Sequence, residues 1–143
     1  MAALGVRIEG ASVLDLFAGS GALGLEALSR GARQITFVEK SRGALQALEK
    51  NIESLGAGNR ARVVQASALG FITAWTGDLF DFALADPPYD RGFAAALFER
   101  MAEKPFAREL WVEHLSKESL RALPALRQRR YGDTTISIWE PPE

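Results

Sequence analysis

The chain has 143 residues, 48% hydrophobic and 24% charged, without a low-complexity tract, a composition that fits a soluble globular chain and excludes a disordered or fibrous one. With 17 basic against 18 acidic side chains the net charge is -1, so attraction to a nucleic-acid backbone requires a local patch. The absence of cysteine excludes a disulfide scaffold, thiolate metal sites and cysteine nucleophiles, and the longest apolar runs, such as 82–85 and 93–98, fall far short of the roughly 20 residues that span a bilayer.

Short β-type runs alternate with longer helical patterns, which predicts βαβ units around a mostly parallel sheet, an α/β fold. The first residues show no charged region followed by a long apolar stretch, so a cytoplasmic location is expected. Ser12 to Phe17 (SVLDLF) reads as the first strand, followed by a glycine-rich turn from Gly19 to Gly24 and a helix through Ser29 that stops at Gly31. Gln34 to Glu39 (QITFVE) is the second strand. Ser41 caps a helix that carries Leu45, Leu48, Ile52 and Leu55 on one face and closes at Gly56. Ala61 to Ala66 is a third strand, followed by a short helix, a turn around Gly77 and a fourth strand from Phe80 to Ala85. A helix from about Gly92 to Glu103 directs Phe93, Leu97 and Met101 at the sheet, and Glu109 to His114 forms a fifth strand. Leu126 to Tyr131 and Thr134 to Trp139, separated by Gly132-Asp133, read as a terminal hairpin that adds antiparallel character at one edge. No repeat or linker divides the chain, so residues 1–143 are expected to form one domain.

Two segments carry chemistry. The first is a G-x-G-x-x-G pattern, Gly19, Gly21 and Gly24, set between a strand and a helix. Glycines there remove Cβ atoms that would hold a ligand off the backbone, and the helix start supplies unpaired N–H groups. Glu39 ends the second strand twenty positions after Gly19, where a carboxylate can accept hydrogen bonds from both ribose hydroxyls of a nucleoside cofactor. A tight βα turn with an acid that happens to end a strand explains an isolated pattern equally well. NAD and S-adenosylmethionine sites share this geometry. Asp15 and Ser20 favour the latter, because an acid ending strand one can hold a methionine amino group through water but opposes a pyrophosphate.

The second segment is Asp86-Pro87-Pro88-Tyr89, directly after an apolar strand end. Two prolines fix the backbone and leave its carbonyls free to accept. The Asp86 carboxylate and the Pro87 carbonyl can take both hydrogens of an exocyclic purine amine, and Tyr89 offers a face on which the base stacks. A strand-terminating turn is the bland explanation for the tetrapeptide alone. Three motifs that map to one sheet edge are harder to reduce to turn chemistry.

Residues Asp15 to Ala32 (DLFAGSGALGLEALSRGA), with the Asp86 to Tyr89 segment, resemble the class I amino methyltransferases that use S-adenosylmethionine, and within them the RsmD-type guanine-N2 methyltransferases of bacterial small-subunit ribosomal RNA. The resemblance runs from about Val13 to Tyr89. It implies a Rossmann-like fold: a mostly parallel seven-stranded sheet ending in an antiparallel hairpin, with helices on both faces. It also implies S-adenosylmethionine contacts at Asp15, Phe17, Ala18, Gly19, Ser20 and Gly21, and at Glu39, Lys40, Ser67 and Asp86. The target guanine would be held by Asp86, Pro87, Pro88 and Tyr89, with transfer driven by orientation and desolvation while Asp86 aligns the amine and receives its proton late. The expected partner is ribosomal RNA or the small ribosomal subunit, with no metal, no membrane and a monomeric state. Two departures stand out. The family places an acid where this chain has Ser67, and family members carry a basic N-terminal arm, whereas only about a dozen residues precede the first strand here.

Competing readings are methylation of adenine N6 in DNA or RNA, a nucleotide-binding oxidoreductase, and a non-catalytic binding subunit that keeps the fold. The single histidine, His114, is expected to be structural, and Trp75, Trp111 and Trp139 to serve packing. Arg121, Arg127, Arg129 and Arg130 form a basic cluster whose simplest explanation is a solvated edge, with RNA contact as the alternative.

Overall fold

In sheet order the chain runs outward from its first strand through two more, then returns to place the fourth on the opposite side of the first. A computed structural model describes residues 5–88, 91–116 and 126–140, with residues 5, 6 and 126 by their backbone only. Among them are the strands β1 (Ser12–Leu16), β2 (Gln34–Glu39), β3 (Ala61–Gln65), β4 (Phe80–Ala85), β5 (Ala107–Leu115), β6 (Leu126–Tyr131) and β7 (Thr134–Trp139). They form one seven-stranded sheet in the order β3-β2-β1-β4-β5-β7-β6. β1, β2, β3, β4 and β5 pair in parallel, whereas β7 pairs antiparallel with both β5 and β6. This is the Rossmann-like arrangement expected, and the crevice of such a sheet opens where the strand order reverses, between β1 and β4.

Helices cover both faces. α1 (Ala22–Ser29) and α2 (Arg42–Ser54) bury Ala27, Leu28, Leu45, Leu48 and Ile52 against Val13, Ile35 and Phe37. On the other face α3 (Ala68–Ala74) and α4 (Phe93–Glu103) bury Ile72, Leu97, Phe98 and Met101 against Leu14, Leu16 and Val38. Alternate residues of β1 and β2 thus enter opposite layers, which explains why these strands read as continuous apolar runs. Trp111 and Trp139 lie in the two layers, and Trp75 stacks between Phe71 and Phe80, in the packing roles expected of them.

Helix ends follow the sequence signals closely. Ser41 caps α2 through its hydroxyl, which accepts from the Ala44 N–H. α1 and α2 both end in a left-handed glycine, Gly31 at φ 98° and Gly56 at φ 63°. In each, the following alanine donates back to the helix, Ala32 to Ala27 and Ala57 to Ile52, closing Schellman turns. The turn corrects one expectation: Leu55, predicted on the buried face of α2, is 65% exposed. It sits at the C-cap, where the chain reverses, and Ala57 takes the core position instead.

Strand ends differ modestly. β1 stops at Leu16 because Phe17 adopts φ 58°, and β5 extends from Ala107 to Leu115, beyond both expected limits, because its start pairs with Phe80 of β4 and its end with Thr134 of β7. The hairpin turns on Gly132 at φ 63°. His114 is buried, with Nε2 2.7 Å from the Ser137 hydroxyl of β7, a structural contact as expected.

The seating of α1 depends on Gly24. A Cβ there would lie 2.3 Å from Cε1 of the fully buried Phe37 and 2.9 Å from the Asp15 carboxylate, whereas Gly43 in α2 faces open space. Gly24→Ala is therefore expected to destabilise the fold by about 1–3 kcal/mol despite the better helix propensity of alanine, while Gly43→Ala stabilises by about 0.5–1 kcal/mol. Urea unfolding of the two variants checks the contrast; equal shifts would contradict it.

Candidate active site

The turn after β1 is built from backbone that only glycine adopts freely, with one exception. Phe17, Gly19 and Gly21 have φ of 58°, 56° and 91°. Phenylalanine in the left-handed region is strained, and such strain persists where surrounding contacts over-determine it. Here the Ala18 N–H donates to the Val38 carbonyl of β2, at 3.0 Å, and the Phe17 ring meets Phe93 of α4 edge-on at 5.0 Å between centroids. A Cβ on Gly21 would lie 2.3 Å from Leu48 Cδ1, so this glycine serves packing. One on Gly19 would meet nothing within 4 Å, so Gly19 is required by its dihedral angle and leaves its outer side open to a ligand. Asn51 of α2 donates from its side-chain amide to the Ser20 carbonyl, 2.9 Å away.

Glu39 ties this turn to the end of β2. One carboxylate oxygen accepts from the Gly19 N–H at 2.9 Å and the other from the Ser41 N–H at 2.8 Å. Each oxygen retains a further lone pair. Asp15 lies behind the turn, 1% exposed, with Oδ2 accepting from the Gly24 N–H at 3.0 Å. It thereby supplies the cap that Gly21, lacking a side chain, cannot give α1. Burial pushes the Asp15 carboxyl up to about 7, against the lowering effect of the Gly24 hydrogen bond, and the nearby Asp86 and Glu39 carboxylates add to the rise.

A cavity of about 480 Å³ opens at the carboxyl ends of β2, β3 and β4. Of the residues expected at the site, Phe17, Glu39, Lys40, Ser67, Asp86, Pro87 and Pro88 line it. Ala18, Gly19, Ser20 and Gly21 do not, although Gly19 is joined to it through Glu39. Asp15 sits beneath the turn and not in the cavity wall. Ser67 is at the wall with its hydroxyl engaged, since it caps α3 by accepting from the Gly70 N–H at 3.1 Å. Sequence reasoning missed the apolar wall made by Val38, Ala66, Ala68 and Leu69, and saw Phe93 only as a packing residue. Their signal is the step from strand to helix after β3, which aims small and branched side chains at the strand ends.

Asp86 is exposed at the rim, and desolvation by the surrounding protein raises its pKa above the ordinary carboxylate value. Pro87 is buried and Pro88 exposed. Tyr89 and Arg121 lie outside the described residues. Arg127, Arg129 and Arg130 are exposed on the edge strand β6, far along the sheet from the cavity, and Arg127 pairs with Glu140. Among the described residues no group of three or more His, Cys, Asp or Glu is placed to hold a metal, and no helix is long and apolar enough to cross a membrane.

The model of the Conserved hypothetical protein 95 family matches residues 2–140. The chain belongs to that family. Among curated relatives, Ribosomal RNA small subunit methyltransferase D of Escherichia coli strain K12 is 40% identical over 121 residues, which cover 82% of this chain. The chain spans only 60% of that protein's length. YlbH of Bacillus subtilis strain 168 is 32% identical over 148 residues, covering 96% of this chain and 79% of the relative. The solved structure of yhhF from Escherichia coli superimposes with a TM-score of 0.82 at 33% identity, covering 96% of this chain and 79% of that one. The RsmD-type resemblance read from the β1 turn and the proline loop is borne out by these matches.

Asp15 offers a direct test of the geometry. An acid with a raised folded-state pKa keeps its proton preferentially in the folded chain, so its contribution is full below about pH 4 and is lost as pH rises to about 7. Asp15→Asn is expected to remove this loss, and each pH unit of the window carries about 1.4 kcal/mol. Thermal unfolding at pH 4 and pH 8 should show the variant gaining on the parent only at the higher pH; an equal difference at both would place Asp15 in a solvated site.

Proposed function

We propose that this protein is an S-adenosylmethionine-dependent methyltransferase acting on the exocyclic N2 amine of a guanine in small-subunit ribosomal RNA. The observation that carries the proposal is the meeting of Glu39, hydrogen-bonded to the Gly19 turn, and Asp86 around one cavity. The Escherichia coli relative's name, which gives ribosomal RNA of the small subunit as its target, supports the choice of substrate.

The residues present fit the cofactor. Gly19 leaves its outer face open, and Glu39 keeps a free lone pair on each oxygen for the ribose hydroxyls. Apolar walls at Val38, Ala66 and Leu69 suit an adenine ring, with the Ser67 hydroxyl hydrogen and backbone groups nearby for its polar edge. When bound, S-adenosylmethionine supplies a methyl group on a sulfonium centre.

The chain's own task is to bring an amine to that position with its lone pair exposed. The Asp86 carboxylate and the Pro87 carbonyl accept the two amine hydrogens, which turns the nitrogen lone pair into the cavity. Pro87 and Pro88 hold the acceptors in place, because their rings fix the backbone and leave no competing N–H. Phe17 and Phe93 wall the cavity against water, so that charge is handled by fixed groups. The raised pKa of Asp86 suits it to receive the amine proton late in the reaction. Tyr89, next in the chain, is proposed as the face on which the base stacks.

Asp86→Ala tests the reading. Wild-type protein incubated with small-subunit rRNA and cofactor should yield N2-methylguanosine on nucleoside mass spectrometry. The variant should lose about 100-fold in kcat, the cost of an unaligned nucleophile, while binding S-adenosylhomocysteine within about threefold of wild type. Undiminished transfer by the variant, or N6-methyladenosine as the wild-type product, would contradict the proposal.

A further inference from the structure

Strand register gives Asp86 a carboxylate neighbour, Glu113, on the adjacent strand. β4 and β5 run parallel with Ala85 opposite Val112, so the next residues, Asp86 and Glu113, stand side by side at the carboxyl edge. Adjacent strands are about 4.8 Å apart. Glu113 follows Trp111 by two positions and so shares its face of the sheet, the face that also carries Asp15. The register sets Asp15 opposite Leu84 and, beyond it, Trp111, so Asp15 lies on this same face two residues further from the carboxyl edge than Asp86 and Glu113. On the far side of Glu113 the opposing residue of β7 is Ile136, an apolar side chain that offers no counter-charge. Glu113 is half-buried, and burial together with the Asp86 carboxylate raises its pKa, so the two groups sense each other electrostatically.

We propose that Glu113 reads the target base, accepting the guanine N1–H while Asp86 accepts from the N2 amine. This rests on the function proposed above and deepens it. A guanine edge presents N1–H and the N2 amine as adjacent donors, and two carboxylates on neighbouring strands are a matching pair of acceptors. Adenine presents its amine beside a bare N1 lone pair, which would face the Glu113 carboxylate acceptor to acceptor. The pair therefore selects one purine by attraction and rejects the other by repulsion. It also gives the half-buried carboxylate a partner that β7 does not provide.

2-Aminopurine separates the two contacts, because it keeps the 2-amine and lacks the N1–H. The experiment uses synthetic RNA stem-loops around the guanine that the wild type is found to methylate in small-subunit rRNA, with that guanine kept or replaced by 2-aminopurine, and compares wild type with Glu113→Gln. Wild type should favour guanine by about 10- to 100-fold, the discrimination typical of a base-edge hydrogen bond, both in kcat/KM and in equilibrium competition binding. The glutamine amide can turn to donate to the bare N1 and is a neutral, weaker acceptor for the guanine N1–H, so the variant's preference should fall to within about threefold through a loss on guanine and a gain on 2-aminopurine. Its affinity for S-adenosylhomocysteine should remain that of wild type, which separates base reading from damage to the cavity. An unmoved guanine preference, or an equal loss on both RNAs, overturns the assignment while leaving the methyl-transfer reading intact. Wild-type protein that methylates neither RNA overturns that reading and the assignment of Glu113 with it.

Discussion

The site depends on one carboxylate, Glu39, which binds the N–H of Gly19 with one oxygen and that of Ser41 with the other. Two loops that would otherwise sample separate conformations are fixed to a single point at the end of β2. Hydrogen bonds to a carboxylate are worth about 1.5–3 kcal/mol, enough to help hold the turn in which Phe17 occupies a backbone region that sterics disfavour. The same group is the one best placed to meet a ribose. In the proposed function loop order and ligand recognition would be served by one side chain, with a bound ligand sharing its remaining lone pairs.

The two ends of the sheet use charge differently. At the amino ends of β1, β4 and β5 acids meet cations: Arg7 pairs with Glu109, and Asp81 accepts from the Ser12 N–H and lies 3.5 Å from Arg108. At the carboxyl ends Asp86 and Glu113 stand side by side, with Asp15 two residues further in on the same face, and burial is the first cause of a raised pKa in all three carboxyls. Taking carboxylates out of water in this way costs stability, as is expected where chemistry needs acceptors. Gly24 compounds the cost by packing helix α1 directly on Phe37 and Asp15 with no room for a side chain. The fold is thus tight and strained at one edge and conventionally paired at the other.

Much of this was legible in the sequence because the signals are local. The glycines that end α1 and α2, the Ser41 cap and the Gly132-Asp133 turn each act within a few residues, and β2, β4, β6 and β7 fall where patterning puts them. Periodicity puts Leu55 on the buried face of α2 because it carries no record of where the Schellman turn reverses the chain. In the sequence Asp15 and Ser67 read as ligand groups, whereas in the fold their side chains satisfy helix N–H groups, a competition decided by which donors lie within reach. Glu113 went unnoticed for a different reason. Its importance comes from standing beside Asp86, and that adjacency is a property of strand order and register, which no local pattern contains.

The proposed function requires that the cavity at the carboxyl ends of β2, β3 and β4 hold the cofactor. A crystal structure of the chain with S-adenosylhomocysteine tests it most directly. The adenosine is expected in the cavity of about 480 Å³, with its ribose hydroxyls on Glu39 and its sulfur facing Asp86. Ligand bound elsewhere on the molecule, or a cavity that stays empty at saturating concentration, would contradict it.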